Sequence, residues 1–410
     1  MSVDTLSGPT GGYRWMILLV ATVAQTSACF LVQGIGVIGA FVQRDLHLTT
    51  AQVGLLISAA QLVPVVGLLV AGELLDRHSE RLVVGGGTLI VALALLGASL
   101  APGYLALLLF LIVVGAGYST AQPGGSKSIA RWFATSQRGF AMGIRQAGLP
   151  LGGALSAAIL PSFANGLGWR SSLAAGGLVA LLGAAVFLVF YRTPPGSAHD
   201  NRSSARSPRA GTAARLSVLR DRSMTNIMVS GLSLISVQYG ILIFTVLYLH
   251  EAGGMTIERA ALLLFAALAA GVAGRVVLAL WSDRARSGRY FPVLICMGAV
   301  VVGLVLLMIV PLDSTPVVAS LVAWLGFFGF GWYGPWVAYT AEIAPPCKTG
   351  FALGLAMAVN QVAVIVAPPA LGLLKDTTGS YLPGWGTLAA IALLALIATA
   401  RRARTGHRPA

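Results

Sequence analysis

The chain has 410 residues, 57% of them hydrophobic and only 10% charged, with a formal net charge of +14. A soluble domain carries charge on about a quarter of its residues, so a water-soluble enzyme or a large extramembrane domain is excluded. The basic balance is scattered over short segments between apolar runs instead of gathered on one face with aromatics between, which excludes nucleic-acid binding and matches loops that retain Lys and Arg on one side of a bilayer.

Apolar runs of about 20 residues, enough to cross a membrane, occupy almost the whole chain. The first, Trp15–Val42, is too long for a signal core and has no convincing cleavage site, so an uncleaved span is expected; its Gln25, Cys29 and Gln33 recur every fourth residue and share a face. Val53–Leu75 follows with Gln61 midway, then Leu82–Ala101, then Tyr104–Pro123, where Tyr118 and Gln122 share a face and Lys127 lies beyond, at the interface. Phe140–Phe163 carries Arg145 seven residues inside Arg138, and Ser171–Tyr191 completes the first group. Arg192–Arg222 changes character: prolines, serines and a glycine mixed with Arg202, Arg206, Arg209, Arg215 and Arg220 read as a flexible basic linker. The second group opens with Met224–Leu249, where Asn226, Ser230 and Ser233 share a face, and Ala260–Trp281, which contains Arg275. Phe291–Pro311 precedes Pro316–Tyr339, with Trp324, Phe328, Trp332 and Trp336 at every fourth residue and Tyr333 beside them; Phe351–Leu374 holds Asn360 and Gln361, and Leu382–Ala400 is last. These runs predict an all-α membrane protein of twelve transmembrane helices: a six-helix bundle over 1–191, a cytoplasmic linker over 192–222, a second bundle over 223–400 and a cytoplasmic tail over 401–410.

One side of the membrane collects Arg14, Arg77, Arg81, Arg131, Arg138, the linker arginines, Arg284, Arg286, Arg289, Lys348 and the arginines of the tail, while the other has Arg44, Arg170, Arg259 and Lys375. This bias puts both termini in the cytoplasm of an inner, plasma membrane. Cys29, Cys296 and Cys347 lack metal-ligand spacing and read as small packing residues, and the five histidines lie outside the spans or at their edges. No metal or cofactor is expected, and without a Walker-type loop no ATP hydrolysis.

The two halves repeat each other. Gly72-Glu73-Leu74-Leu75-Asp76-Arg77 after the second run matches Leu280-Trp281-Ser282-Asp283-Arg284 after the eighth, Asp283 being offset from Asp76 by 207 residues, and Arg138-Gly139-Phe140-Ala141-Met142-Gly143 matches Thr349-Gly350-Phe351-Ala352-Leu353-Gly354, offset by 211. Duplicated bundles rocking about a midplane site are a common architecture of secondary transporters. Gly72, Leu74, Asp76, Arg77 and Arg81 together form the Gly-x-Leu-x-Asp-Arg-x-x-x-Arg loop by which the chain resembles the major facilitator superfamily over essentially its whole length, with Ser79 at the place of a usual glycine. The resemblance implies a gating role for Asp76, Arg77 and Arg81, whose charge contacts with neighbouring helix ends would latch one state, and a weaker copy of it for Asp283 and Arg284. It also implies that the first, fourth, seventh and tenth spans line a central cavity.

The substrate class comes from the charges inside the spans. Every carboxylate falls in a loop, a tail or near a span end, whereas Arg275 lies roughly 12 Å inside its helix end at about 1.5 Å per residue. A cation so placed marks a function by default: it either binds an anion through its bidentate fork or bonds helix carbonyls and snorkels outward. Arg145 is at comparable depth, as a second anion contact, a gate or a snorkelling side chain; its repeat counterpart is Ala356, so the scaffold does not demand the charge. Gln33, Tyr118, Gln122, Asn226, Ser230, Tyr333, Trp336 and Asn360 are the candidate polar wall, with interhelical hydrogen bonding and aromatic packing as their competing roles. The stretch Gly117–Phe133 with Arg138–Gly143, and Gly274-Arg275 ahead of Ser282-Asp283-Arg284, resemble the organic-anion branches of the superfamily, namely oxalate/formate exchangers, monocarboxylate symporters and anion:cation symporters. In the first two an arginine of the eighth span holds the substrate carboxylate, the place Arg275 occupies. The lysine of the eleventh span that oxalate exchangers use is missing here, which favours a monocarboxylate; the nitrate/nitrite branch fits less well, as its second-span arginine is also missing. The expectation is a monomeric carrier of a small organic anion, coupled to protons or to anion exchange. Gly148-Leu149-Pro150-Leu151-Gly152-Gly153 partly resembles the antiporter motif of drug exporters, the alternative within the same superfamily.

Overall fold

A computed structural model describes residues 10–133, 135–193, 222–284, 289–343 and 349–405. It forms twelve transmembrane spans. Span one is Thr10–Leu46; span two is Thr50–Leu62 continued by Pro64–Arg77; span three is Glu80–Ser99; span four is Tyr104–Tyr118 continued by Ala121–Trp132; span five is Thr135–Leu167; span six is Trp169–Phe190. Span seven is Arg222–Glu251, eight Ile257–Arg284, nine Phe291–Ile309, ten Thr315–Gly331 continued by Tyr333–Ile343, eleven Thr349–Thr378 and twelve Leu382–Thr405. Among the described residues there are no strands, as hydrocarbon surroundings require of an open chain, since helices alone satisfy every backbone group within one segment. The greater part of the expected linker and the end of the tail, 194–221 and 406–410, lie outside the described residues.

Three spans are broken, each for a local reason. Pro64 has no N–H to donate to the carbonyl of Ala60, and span four uses the opening: a Cβ on Gly115 would sit 2.4 Å from that oxygen. Span four runs past the expected end at Pro123, because the proline sits in the first turn of its second segment, where a missing N–H costs little. Span ten breaks around Trp332, beside the glycines Gly331 and Gly334.

Span seven is almost wholly buried, whereas spans six, eleven and twelve turn much of their length outward. Spans one and five, three and six, and eight and ten pack closely within the first and last six spans; spans two and eleven, five and eight, and one and seven join the first six to the last six. Spans eight and ten meet backbone to backbone: a Cβ on Gly326 would lie 1.9 Å from the Ala267 carbonyl oxygen, and one on Gly274 would lie 2.2 Å from that of Phe327. Gly326→Ala is therefore expected to force these helices apart at a cost of about 1–3 kcal/mol, visible as a lower melting temperature of the purified protein. A melting temperature equal to the parent's would contradict the close approach.

Candidate functional site

The tight crossing of spans eight and ten fixes the residue after Gly274. Arg275 is buried, with 5% of its surface exposed. Its guanidinium carbon stands 5.2 Å from the centre of the Tyr333 ring on span ten, and Nη1 donates to the backbone carbonyl of Gln146 on span five at 3.0 Å. That is one hydrogen bond from a group with five N–H donors, and Nε is buried without a partner. Of the two sequence alternatives, a carbonyl contact does exist, but it crosses from the last six spans to the first six, and the side chain does not snorkel. Tyr118, Tyr239 and Cys29 also lie near this guanidinium.

Arg145 is fully buried on span five. Nη1 donates to Gln25 Oε1 of span one at 2.9 Å, and Nη2 donates to Gln122 Oε1 at 3.1 Å and Ser126 Oγ at 2.9 Å, both on span four. Gly125 leaves room for the group, since a Cβ there would come within 3.0 Å of Nη1. Three neutral acceptors satisfy hydrogen bonds without neutralising the charge. Among the described residues no carboxylate pairs with Arg145 or Arg275: Glu80 pairs with Arg131 at 2.7 Å, Glu251 with Lys375 at 2.7 Å, Glu342 with Arg289 at 3.4 Å and Asp45 with Arg170 at 3.5 Å. The two guanidinium groups lie near each other and near Tyr118 and Tyr333, so one locus holds two cations and several phenols.

The remaining sequence candidates divide. Tyr333 stacks on Trp336 with ring centres 5.9 Å apart, and Trp336 and Asn360 both press on Gly231, where a Cβ would lie 2.7 Å from Trp336 Cζ2 and 2.5 Å from Asn360 Oδ1. Asn360 and Asn226 are buried; neither amide atom of Asn360 has a partner, nor does Asn226 Oδ1. Gln33 is buried beside Gly153. Ser230 spends its hydroxyl on the Ile227 carbonyl of its own helix, and the Trp336 indole N–H donates to the same oxygen at 2.9 Å. The aromatic ladder of span ten thus divides its roles: Trp332 donates to Gln238 Oε1 at 3.2 Å deep in the core, whereas Trp324 is 44% exposed. Ser126, Tyr239 and the Gln146 carbonyl were not foreseen; the Gln25-Cys29-Gln33 and Tyr118-Gln122 stripes pointed toward the cradle of Arg145.

Of the gating candidates, Arg77 and Arg284 are exposed, and Arg81 Nε donates to the Leu188 carbonyl of span six. The side chains of Asp76 and Asp283 lie outside the described residues. Lys127 donates to the Leu75 carbonyl and stands 4.0 Å from Glu80.

At the face opposite the termini, the first and last six spans are bound together. Asp376 of span eleven accepts from Thr50 N at 2.9 Å and Ala51 N at 2.8 Å, Ser58 Oγ donates to the Ile365 carbonyl at 2.6 Å, and Gln361 Nε2 donates to Gln61 O and Oε1, each at 3.0 Å. Gln61 Nε2 in turn donates to the Tyr239 hydroxyl at 3.3 Å.

Twelve spans, a cationic locus buried between the halves and contacts that join them at one face define a membrane transporter rather than an enzyme. Residues 21–368 match the Major Facilitator Superfamily, and the chain belongs to that family. It is 27% identical to an uncharacterized MFS-type transporter of Mycobacterium tuberculosis, over 95% of this chain and 85% of that one. It is 24% identical to the hexuronate transporter of Bacillus subtilis, over 87% of each. Its fold is similar to that of a bacterial homologue of the human lysosomal transporter Spinster, crystallised in an inward-facing and occupied conformation, with a TM-score of 0.75 and 16% identity over 95% of this chain and 96% of that one.

Proposed function

We propose that this protein is a secondary active carrier of a small organic anion, a monocarboxylate, working by alternating access in the inner, plasma membrane with both termini in the cytoplasm. The observation that carries the reading is the pair of buried guanidinium groups, Arg145 and Arg275, with no described carboxylate to neutralise either. Burying an uncompensated charge is costly, and placing a second of like sign nearby raises the cost. A carboxylate entering between them lowers both penalties, so the cargo supplies counter-charge that the protein withholds. The similarity to a relative named for hexuronate, itself an organic-acid anion, supports the same chemical class.

The two arginines have different tasks. Arg145 is held by spans one and four, both in the first half, and travels with that half as a fixed positive potential. Arg275 bridges the halves through the Gln146 carbonyl, and a cargo carboxylate competes with that carbonyl for the same fork. Replacing this contact between the halves by one to the cargo frees spans five and eight to move past each other. The carrier acts as a monomer, the two six-span halves over 1–191 and 223–400 being its moving bodies, with protons or a second anion as the coupled species.

The test is counterflow in proteoliposomes containing the purified protein, preloaded with one of a panel of unlabelled organic acids and offered the labelled acid outside. Trans-stimulated uptake of at least one monocarboxylate is expected, and a pH gradient that accelerates it separates proton coupling from plain exchange. A protein that carried organic cations and no acid would overturn the proposal.

A further inference from the structure

Two of the contacts that join the halves end on backbone carbonyls inside helices, where each carbonyl is normally spent on the N–H four residues later. In both cases the residue four positions later is a proline. Gln146, which accepts from Arg275 Nη1 at 3.0 Å, precedes Pro150 by that distance inside span five. Ile365, which accepts from Ser58 Oγ at 2.6 Å, precedes Pro369 likewise inside span eleven. A proline has no N–H, and its ring crowds the carbonyl of the preceding turn, so each oxygen is released from its own ladder. Within a membrane only a neighbouring helix can then satisfy it.

The device follows the internal repeat. Spans five and eleven carry the matching stretches Arg138–Gly143 and Thr349–Gly354, and spans two and eight end in matching Asp-Arg pairs. The acceptor therefore lies on equivalent helices of the two halves, and the donor on equivalent helices of the other half. Only the donors differ: a hydroxyl at the joint of spans two and eleven, a guanidinium at the joint of spans five and eight. Pro150 belongs to the Gly148–Gly153 stretch, whose glycines let the neighbours close in. A Cβ on Gly152 would lie 2.8 Å from the Thr26 carbonyl oxygen of span one, and one on Gly153 would lie 3.0 Å from Leu268 Cδ1 of span eight.

We infer that Pro150 is a positioning residue of the cargo site: by removing one N–H from span five it creates the acceptor that holds Arg275, and so sets the competition a cargo carboxylate must win. This rests on the anion reading for the cargo, and on helix geometry alone for the acceptor. No N–H at position 150 reclaims the Gln146 oxygen when Arg275 leaves, so the contact re-forms each time the cargo departs. An N–H restored there takes the oxygen back into the helix and leaves Arg275 to the cargo.

The experiment is a double-mutant cycle on the purified full chain in lipid nanodiscs, with Pro150→Ala, Arg275→Ala and the two combined. Arg275→Ala is expected to lower the melting temperature of the parent, and to lower that of Pro150→Ala less than half as much, because the bond has already gone. Equal shifts in the two backgrounds overturn the inference. Binding of acetate, propionate and butyrate is the second readout. Pro150→Ala is expected to bind at least one of them about tenfold more tightly than the parent does, the factor one charge-assisted hydrogen bond supplies, and Arg275→Ala is expected to abolish that gain. A proline that merely shaped the helix would give the opposite sign, and weaker or unchanged binding of every acid the parent binds also overturns the inference. If none of the three acids binds to any of the proteins, the anion reading fails, while the melting cycle still decides what holds Arg275. Pro150→Gly restores the same N–H and takes the place of the alanine variant if that protein does not fold.

Discussion

Arg275→Ala is expected to lower uptake of a labelled monocarboxylate roughly 100- to 10,000-fold, because two charge-assisted hydrogen bonds of about 1.5–3 kcal/mol each leave the binding step together. Arg275→Lys is expected to recover only a small part of this: an ammonium keeps the charge, but it cannot meet a carboxylate as a planar fork, and it is more strongly hydrated. The resting contact is the reason the loss is not masked by damage to the fold. Arg275 makes one bond to the Gln146 carbonyl and lies against one aromatic ring, Tyr333, so the truncated protein loses about 1.5–3 kcal/mol of hydrogen bonding and a cation–π contact of about 2 kcal/mol at most. Removing the charge also relieves a desolvation cost, which offsets part of that. Transport and stability should therefore part company: uptake falls by orders of magnitude while the melting temperature moves by a few degrees. Parent-rate transport by both variants would show that the cargo does not meet this guanidinium.

That residue was legible in the sequence because a single cation in an apolar run of bilayer length is an anomaly that hydropathy alone exposes. The twelve spans were legible for the same reason, each being a run of apolar residues of the required length. What was hidden depended on register between distant segments. Pro123 reads equally well as the end of one helix or the first turn of another, and the second reading, the one realised, carries Ser126 into the cradle of Arg145. The partner of Arg275 is a backbone oxygen, which no residue type announces. The four-residue repeat of Trp324, Phe328, Trp332 and Trp336 fixed their mutual alignment but not their neighbours; the 3.6-residue turn then carries Trp324 to the surface while Trp332 and Trp336 stay in the core. Asp376 was visible only as a carboxylate near a span end, since its partners Thr50 and Ala51 lie more than three hundred residues earlier.

Asp376→Ala is expected to raise the exposure of the face opposite the termini about five- to tenfold, read as faster labelling by a membrane-impermeant maleimide of a cysteine placed at Ser58 in a background without native cysteines. Four N–H groups open span two, and each has a partner. Thr49 N is taken by the Gln52 side chain at 2.8 Å and Gln52 N by the Thr49 hydroxyl at 3.2 Å, a capping box complete within the helix. Thr50 N and Ala51 N are left over, and one carboxylate from span eleven accepts both, an oxygen to each. Half of this helix start is thus capped by its own half of the protein and half by the other, so these two bonds break whenever the halves separate here. A cap of this kind is worth about 1 kcal/mol, and the positive end of the helix dipole adds a few tenths. At about 1.4 kcal/mol per factor of ten, that sum sets the expected change. Asp376→Asn, with one acceptor oxygen and no charge, should fall between parent and alanine. The remaining contacts between these spans, Gln361 to Gln61 and the close approach of Gly54 to Pro368, keep the closed arrangement populated in the variant, which is why the change is several-fold and not complete. Labelling rates identical in parent and alanine variant would mean that Asp376 caps span two in both states and opposes no motion.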